Sequence, residues 1–374
     1  MAKLGDIATY INGYAFKPQD WSDEGIPIIR IQDLTGNSYQ ANRYNGEYAS
    51  KYEVNDGDVL ISWSASLGVY IWHGEKAVLN QHIFKVVFDK ERISKDFFVH
   101  QVGLILENAA SDAHGATMKH LTKPVFDALP FYLPPYEKQC EIAEVLDKVT
   151  SLISLRKQQL AKLDELVKAR FVEMFGTFPA NPFRWSIGKI QDVVSDVRYG
   201  SSRPAVEGGK YPYLRMNNIT YSGELDLRDT KRIDIPDSEL DKCTVRRGDV
   251  LFNRTNSKEL VGKTCVYNRD ELMVLAGFVI RVRINERIRP EVLSAFLNMD
   301  FSKRMLIGMC KTAIGQANIN AKELQNIDLY IPPIELQDQF VTLKNKIDQQ
   351  KQTVQQSLEK LELLKKALMQ EYFG

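Results

Sequence analysis

The sequence predicts an α+β fold in which two globular, β-rich heads are separated by two long antiparallel coiled-coil helices, as an internal pseudo-twofold repeat. Three observations predict it: a long repeat, a seven-residue apolar period late in each copy, and short apolar runs between turn residues early in each copy. The predicted boundaries are 1–133 for the first head, 134–176 for the central helix, 177–331 for the second head and 332–374 for the C-terminal helix.

The repeat consists of motifs that occur twice in the same order. The matched motifs begin at these pairs of positions: Ile26 and Tyr211, Gly57 and Gly248, Leu133 and Ile331, and Phe175 and Phe373. The copies lie 198 residues apart at the last two pairs and closer together at the first two. Length changes are therefore confined to the front of each copy. Loop-rich domains tolerate such changes, whereas an insertion in a helix rotates everything beyond it.

The front of each copy predicts a mixed head with a minor helical component. The predicted strands are Ile26–Ile31, Val59–Ile61, Val69–Trp72, Ile83–Phe88, Leu214–Met216, Val250–Phe252 and Val274–Val282. Helical patterns are present at Lys95–Ala109 and Pro290–Gly308. The order of the strands does not follow from these patterns.

The back of each copy predicts a helix that starts at a proline pair. Glu137 and Glu335 follow in the first turn, where a carboxylate stabilises the helix dipole. Apolar residues then recur every seven positions, which favours pairing of the two helices; packing of each helix on its own head is the alternative. The predicted core of the helix pair is Ile142, Val149, Leu163, Phe340, Ile347, Val354, Leu361 and Leu368.

Composition excludes several classes of protein. The net charge is +1, which argues against a globally basic nucleic-acid coat or an acidic tail protein. We find no apolar signal core, no stretch of about 18 apolar residues and no closely spaced cysteine pair, so we expect a cytoplasmic protein with free thiols. No convincing active-site or metal-ligand motif is present, and we expect no metal site and no cofactor bound by this chain.

Polar and basic loops are the candidate binding chemistry of the heads. Residues 1–136 carry a net charge of about −4 and residues 184–330 about +5, so a basic head is hidden in the neutral total. Arginine and lysine bind phosphate or guanine, and asparagine can pair with adenine. Nucleic-acid contact is one interpretation of these loops and ordinary solvated loops are the other; the candidate DNA-binding residues are Ser62, Ser64, Gln81, Lys119, His120, Arg198, Ser201, Arg203, Arg254, Asn256, Lys263 and Gln316.

The order of the motifs resembles the specificity subunit of type I restriction–modification systems. The resemblance spans essentially the whole chain. It includes the opening Leu-Gly-Asp-Ile at Leu4 and the helix starts that contain Glu137 with Gln139 and Glu335 with Gln337. The segment 315–319, Gly-Gln-Ala-Asn-Ile, also resembles the family, whereas the first copy departs from it at 116–121.

The resemblance implies a non-catalytic subunit in which each head recognises half of a bipartite, asymmetric double-stranded DNA site. The helices would set the spacing and dock two methyltransferase (modification) subunits, and restriction/translocase subunits would join the larger complex. S-adenosylmethionine, ATP and Mg²⁺ would be bound by those partners, and no membrane contact is implied.

Two alternatives remain open at the level of sequence. The first is a two-headed scaffold that binds proteins without DNA specificity, which would behave independently of DNA sequence and salt. The second is a methyltransferase with its own recognition domains, which would bind S-adenosylmethionine as an isolated chain.

Overall fold

The computed structural model describes residues 1–36, 42–112, 122–310 and 317–374. The chain forms two compact units, one from Met1–Arg156 with Ser357–Gly374 and the other from Lys157–Gln356. Each unit therefore contains one head and parts of both long helices.

The described residues of the first unit form ten strands. They are β1 (Ala2–Lys3), β2 (Thr9–Asn12), β3 (Ile26–Ile29), β4 (Arg43–Tyr44), β5 (Glu53–Val54), β6 (Val59–Ser62), β7 (Gly68–Ile71), β8 (Ala77–Leu79), β9 (Ile83–Val87) and β10 (Pro130–Phe131). Its helices are α1 (Leu4–Ile7), α2 (Ile31–Leu34), α3 (Lys95–Asp112), α4 (Lys123–Asp127) and the part of α5 (Tyr136–Phe175) up to Arg156.

Two four-stranded sheets form the first head. Their strand orders are β4-β3-β8-β5 and β2-β9-β6-β7, and the β3–β8 pair is parallel while the other pairs are antiparallel. Leu60 packs between the sheets with Ile29 and Leu79, and its neighbour Ile61 packs against Phe97 in the helical layer. Alternate side chains point to opposite faces of a strand, so β6 is buried on both faces.

Twelve strands are present in the described part of the second unit. They are β11 (Ser186–Lys189), β12 (Val194–Tyr199), β13 (Tyr211–Leu214), β14 (Lys231–Ile233), β15 (Thr244–Val245), β16 (Val250–Asn253), β17 (Thr255–Asn256), β18 (Thr264–Val266), β19 (Met273–Leu275), β20 (Val279–Ile284), β21 (Ala317–Asn318) and β22 (Asp328–Ile331). Its helices are α6 (Asp237–Cys243), α7 (Pro290–Asn298), α8 (Asp300–Met309), α9 (Ala321–Gln325) and α10 (Ile334–Phe373), which contributes residues up to Gln356.

The second head repeats the topology of the first. Its sheets have the orders β14-β13-β19-β15 and β12-β20-β16-β18, again with one parallel pair, β13–β19. Leu251 packs between the sheets, while Val250 and Phe252 pack against the helical layer. The two heads are thus two copies of one α+β arrangement, as the repeat predicts.

The long helices pair antiparallel in each unit. In the first unit, Leu368 and Phe373 near the end of α10 pack with Ile142 near the start of α5. In the second unit, the Phe340 ring near the start of α10 lies 5.5 Å from Phe171 and 5.4 Å from Phe175 near the end of α5. The beginning of one helix therefore lies beside the end of the other, which confirms the predicted antiparallel direction.

Burial varies along the predicted core of the helix pair. Its buried members are Ile142, Val149, Phe340, Ile347 and Val354. Its half-buried members are Leu163, Leu361 and Leu368.

A buried glutamine joins each helix start to its head. Gln139 accepts a hydrogen bond from the Ser94 backbone N–H at 2.9 Å and donates to the Pro134 carbonyl at 2.9 Å. Gln337 accepts from the Arg289 backbone N–H at 2.8 Å and donates to the Pro332 carbonyl at 2.8 Å. Each amide satisfies two backbone groups that burial would otherwise leave unpaired.

Some predicted element boundaries are wrong. The strand expected at Ile26–Ile31 ends at Ile29, since the Asp33 carboxylate accepts from the Arg30 N–H and starts a helical turn. The segment Val274–Val282 is divided between β19 and β20, which belong to different sheets. The segment Pro290–Gly308 is divided between α7 and α8, because Met299 adopts an extended backbone.

The Leu214–Met216 strand is also displaced. It covers Tyr211–Leu214, and Met216 already begins a short 3₁₀ turn. This turn forms because the Asn218 side chain accepts from the Arg215 N–H, which competes with further strand pairing.

Candidate nucleic-acid interface

Three loop segments meet at one end of the first head, where β2 and β6 end and β9 begins. The Gly13 N–H donates to the Ile83 carbonyl at 3.1 Å, and the Trp63 N–H donates to the His82 carbonyl at 3.2 Å. Tyr14 donates its N–H to the Leu79 carbonyl at 2.8 Å, which links this edge to the other sheet. These hydrogen bonds fix the backbone of the loops just beyond the paired parts of the strands.

The side chains at this edge form a small aromatic and amide group. The Trp63 ring lies 5.0 Å from the His82 ring, and its indole Nε1 donates to Asn12 Oδ1 at 3.2 Å. His82 has a positive φ of 73°, which is uncommon for a residue with a side chain. We call Asn12, Trp63 and His82 the first-head cluster.

The second head has the same hydrogen bonds at the equivalent edge. The Gly200 N–H donates to the Val279 carbonyl at 3.4 Å, and the Arg254 N–H donates to the Phe278 carbonyl at 3.0 Å. The Ser201 N–H donates to the Leu275 carbonyl at 2.6 Å. Tyr199, Arg254 and Phe278 therefore occupy the positions of Asn12, Trp63 and His82.

The side chains of the second edge differ in chemistry from those of the first. The Arg254 guanidinium lies over the Tyr199 ring, 4.9 Å from its centroid. Phe278 is 54% exposed and Tyr199 is 40% exposed, so both rings of this edge are accessible to a ligand. We call Tyr199, Arg254 and Phe278 the second-head cluster.

A glycine permits each edge to form. A Cβ on Gly13 would lie 2.0 Å from the Asn80 carbonyl oxygen, and one on Gly200 would lie 2.1 Å from the Leu275 carbonyl oxygen. Any side chain would collide with backbone there, so both loops require glycine for close approach of the two sheets.

A two-stranded arm supports the second-head cluster. β17 pairs with β21, the Arg254 carbonyl accepts from the Ile319 N–H at 2.9 Å, and the Tyr199 hydroxyl accepts from the Ala321 N–H at 2.8 Å. The side chains of Asn256 and Asn318 lie on this arm, and Asn318 is exposed. Amide and guanidinium groups are thus presented beside exposed rings, a combination suited to base edges.

The structure places the DNA-binding residues predicted in the first head beneath or beside its cluster. Ser62 is buried and its hydroxyl donates to the Ser66 carbonyl at 2.5 Å, and Ser64 is also buried. Gln81 is half-buried and donates its backbone N–H to the Tyr14 carbonyl at 2.8 Å. Lys119 and His120 lie outside the described residues.

Several predicted residues of the second head already have partners within the protein. Exposed Arg198 pairs with Asp196 at 2.8 Å, and exposed Arg203 donates to both carboxylate oxygens of Glu239, at 2.6 and 3.2 Å. Ser201 is buried, and its hydroxyl accepts from the Arg203 backbone N–H at 3.2 Å.

Lys263 is buried and donates to the Met216 carbonyl at 3.0 Å, and burial lowers the pKa of its ammonium group. Asn256 is half-buried and its side-chain oxygen accepts from the Ser257 N–H at 2.9 Å. Gln316 lies outside the described residues. DNA contact by these residues stays a prediction, and burial of Ser62, Ser64, Ser201 and Lys263 leaves Arg254 as the best-placed of the described ones.

Sequence reasoning missed most of the two clusters. Trp63 and His82 flank the residues that polarity selected, Ser62, Ser64 and Gln81, and Tyr199 lies between Arg198 and Ser201. Alternation along β6 would have helped, because consecutive residues of a strand face opposite sides. The pairing of Trp63 with His82 had no sequence signal, since it depends on the order of the strands.

Residues 1–165 and 184–363 match the model of the type I restriction modification DNA specificity domain. The chain belongs to this family. The matched ranges include all of the first head and residues 184–331 of the second, which confirms the predicted role in DNA specificity and the predicted non-catalytic character of this type I specificity chain.

Curated relatives of this specificity family are similar over most of their length. The chain is 24% identical over 371 residues to the type I restriction enzyme EcoBI specificity subunit of Escherichia coli, covering 90% of this chain and 77% of that subunit. It is 21% identical to the EcoKI specificity subunit of Escherichia coli K12, with coverages of 91% and 80%.

A solved relative shares the fold of this family member. The type I restriction–modification S subunit from M. genitalium superposes with a TM-score of 0.57 at 14% identity, covering 100% of this chain and 95% of that one. In the described parts of this chain, no helix combines the length and apolarity needed to cross a membrane. The same residues contain no group of three or more His, Cys, Asp or Glu side chains that could hold a metal ion.

Proposed function

We propose that each head of this chain reads one half of a bipartite, asymmetric double-stranded DNA site through its cluster. The observation that carries the proposal is that the two heads, both within the DNA specificity match, have the same backbone edge but different side chains on it. Two heads with the same backbone arrangement can dock on DNA in equivalent ways, and the different side chains on that backbone then select different bases. The full site is therefore asymmetric.

The two heads use electrostatic attraction to different degrees. The second head carries about +5 and the first about −4, so phosphate contacts contribute more to binding by the second head. Arg198 and Arg203 are exposed at the second edge and are available to phosphates on exchange of their carboxylate partners.

The partners follow from the relatives, which are specificity subunits of type I restriction enzymes. In this proposal the helices α5 and α10 set the spacing of the half-sites and dock two methyltransferase subunits. Restriction/translocase subunits join the larger complex, which acts in the cytoplasm. S-adenosylmethionine, ATP and Mg²⁺ are bound by those partners.

The test is single-molecule methylation mapping of DNA from cells that express this chain with its methyltransferase partner. We expect one asymmetric motif made of two defined half-sites with an undefined spacer, because the heads carry different clusters. A control strain without this chain should lack the motif. Methylation that is independent of sequence, or that persists without this chain, would contradict the proposal and favour a scaffold.

A further inference from the structure

We infer that Arg254 is a specificity-determining residue that recognises a guanine in the half-site of the second head, with Tyr199 holding its guanidinium in place. Trp63 occupies the same position in the first head, so the first half-site has no guanine contact of this kind at the equivalent place. The inference rests on the proposed function and adds a base and a residue to it.

The first step is the state of the Arg254 side chain. Its guanidinium stacks at 4.9 Å on the Tyr199 ring, and its Nε is buried without a hydrogen-bond partner among the described residues. The Tyr199 hydroxyl is occupied by the Ala321 N–H, so the ring under the guanidinium is itself fixed.

The second step is the contrast with other arginines of the second head. Arg203 pairs with Glu239, Arg215 with Asp229 and Arg247 with Asp270, all within 3.0 Å. The described residues provide no such carboxylate for Arg254. The side chain is therefore oriented by its contact with the Tyr199 ring and by its backbone, whose N–H and carbonyl are both bonded, and its donors remain for a ligand.

The third step is the choice of ligand. A guanidinium carries parallel N–H donors, and that pair of donors matches the O6 and N7 acceptors of guanine. Its neighbours are exposed Phe278, a surface for base or methyl contact, and the β17–β21 arm that carries Asn256 and Asn318. A phosphate could also accept from Arg254, and the experiment separates the two.

The first head supplies the internal comparison. Trp63 has one indole N–H, which donates to Asn12, and so it offers no forked donor at the equivalent position. The same backbone bond, from residue 63 to residue 82 or from residue 254 to residue 278, holds both side chains. If the two heads recognise different bases at this position, the cause is therefore the side chain and not the backbone that holds it.

The experiment uses the assembled complex with Arg254→Ala and Arg254→Lys. Methylation mapping should show that one guanine of the second half-site becomes degenerate, while the first half-site is unchanged. Discrimination at that position should fall roughly 5- to 150-fold, the range of one bidentate contact. Lysine keeps the positive charge but lacks the parallel N–H donors of arginine. The Arg254→Lys variant should therefore regain more of the affinity lost in Arg254→Ala than of the base discrimination.

Arg247→Ala is the matched control, because Arg247 is an ion-paired arginine of the same head outside the cluster. It should leave the motif unchanged. The reciprocal change Trp63→Arg should alter the first half-site alone. Methylation at an intact first half-site also reports that a variant has folded and assembled.

Two results would overturn the inference while the proposed function stands. One is a second half-site that the Arg254 variants leave unchanged, or a second half-site of the parent complex that contains no guanine. The other is an equal loss of affinity on all sequences with a salt slope smaller by about 0.9, the signature of a phosphate contact. A parent complex that yields no bipartite motif would instead remove the proposed function.

Discussion

The two heads share one backbone frame and differ in what it displays. Both have the same strand order, the same parallel pair and the same hydrogen bonds at the cluster edge. The first edge presents Asn12, Trp63 and His82, and the second presents Tyr199, Arg254 and Phe278 in their place. The difference teaches that packing specifies the frame, while a few outward side chains are free to set the recognition chemistry.

The heads also differ in how they are joined to the long helices. Gln139 and Gln337 make equivalent bonds in the two units. In the second unit a buried Lys351 of α10 also pairs with Asp164 of α5 and Glu224 of the head. The repeat places Ile153 at the equivalent position in the first unit, so this ionic contact belongs to one head.

The largest expected effect comes from filling the glycine positions of the shared frame. Gly13→Ala and Gly200→Ala should each cost about 3 kcal/mol of unfolding free energy, the upper end of the usual range for overpacking. The cause is the collision of Cβ with a carbonyl oxygen at 2.0 or 2.1 Å. Chemical unfolding of the full chain measures the loss, and each variant should impair its own half-site.

Helical glycines of the same heads provide matched controls. A Cβ on Gly308 meets nothing within 4 Å, and a Cβ on Gly103 meets Val69 at an ordinary 3.7 Å. Alanine at either position should be neutral or stabilise by about 0.5–1 kcal/mol, because it favours the helix. Equal losses for controls and frame glycines would show that the two loops do not require close backbone approach.

A smaller effect is expected from the ionic contact found only in the second unit. Burial alone would lower the pKa of Lys351, but its hydrogen bonds to Asp164 and Glu224 outweigh burial and raise that pKa. Lys351→Met removes the cation between two carboxylates that are 38% and 46% exposed. We expect a loss of about 1–2 kcal/mol in unfolding free energy, less than for a fully buried pair.

Lys344→Met is the control for this change, since Lys344 pairs with Asp348 within the same helix. Such a pair is worth below about 0.5 kcal/mol. Similar losses for the two variants in the same unfolding assay would contradict a special role for Lys351.

A further expected effect is a pH dependence of stability that arises in the second head. Burial, with some repulsion from Lys168 and Lys263, lowers the pKa of Lys303 from its usual 10.5 to about 7. Between these values the unfolded chain holds a proton that the folded chain lacks, so stability should rise with pH from about 7 to 10.5. Lys303→Met should flatten this part of a stability profile measured by chemical unfolding. Identical profiles for variant and parent would refute a neutral, buried Lys303.

Much of the fold was predictable because it depends on local patterns. The proline pairs and the heptad period predicted helices that the structure places at Tyr136–Phe175 and Ile334–Phe373. The break between β19 and β20 was not predictable, because Val274 to Ile280 contains no charged or polar side chain, and two buried strands in succession resemble one long strand in the sequence.

The site was predictable only in part, for the same reason. Polarity selected residues in the same segments as the two clusters, around Ser62, Gln81, Arg198 and Arg254, yet it chose Ser62, whose hydroxyl is bonded inside the head. Polarity does not distinguish a side chain that satisfies its own backbone from one that faces a ligand. The aromatic members of both clusters were missed because the sequence does not distinguish an aromatic residue that is exposed from one that is buried in the core.

The sequence by itself determined the duplication, the helical spacers and the family, because repeats and periodicity are properties of the linear chain. Only the tertiary structure decided that residue 63 meets residue 82 and that residue 254 meets residue 278. These contacts depend on strand order and register, which arise from hydrogen bonds and packing between distant segments. The repeat and the long helices are thus encoded locally, while the recognition edge is a non-local property of each head.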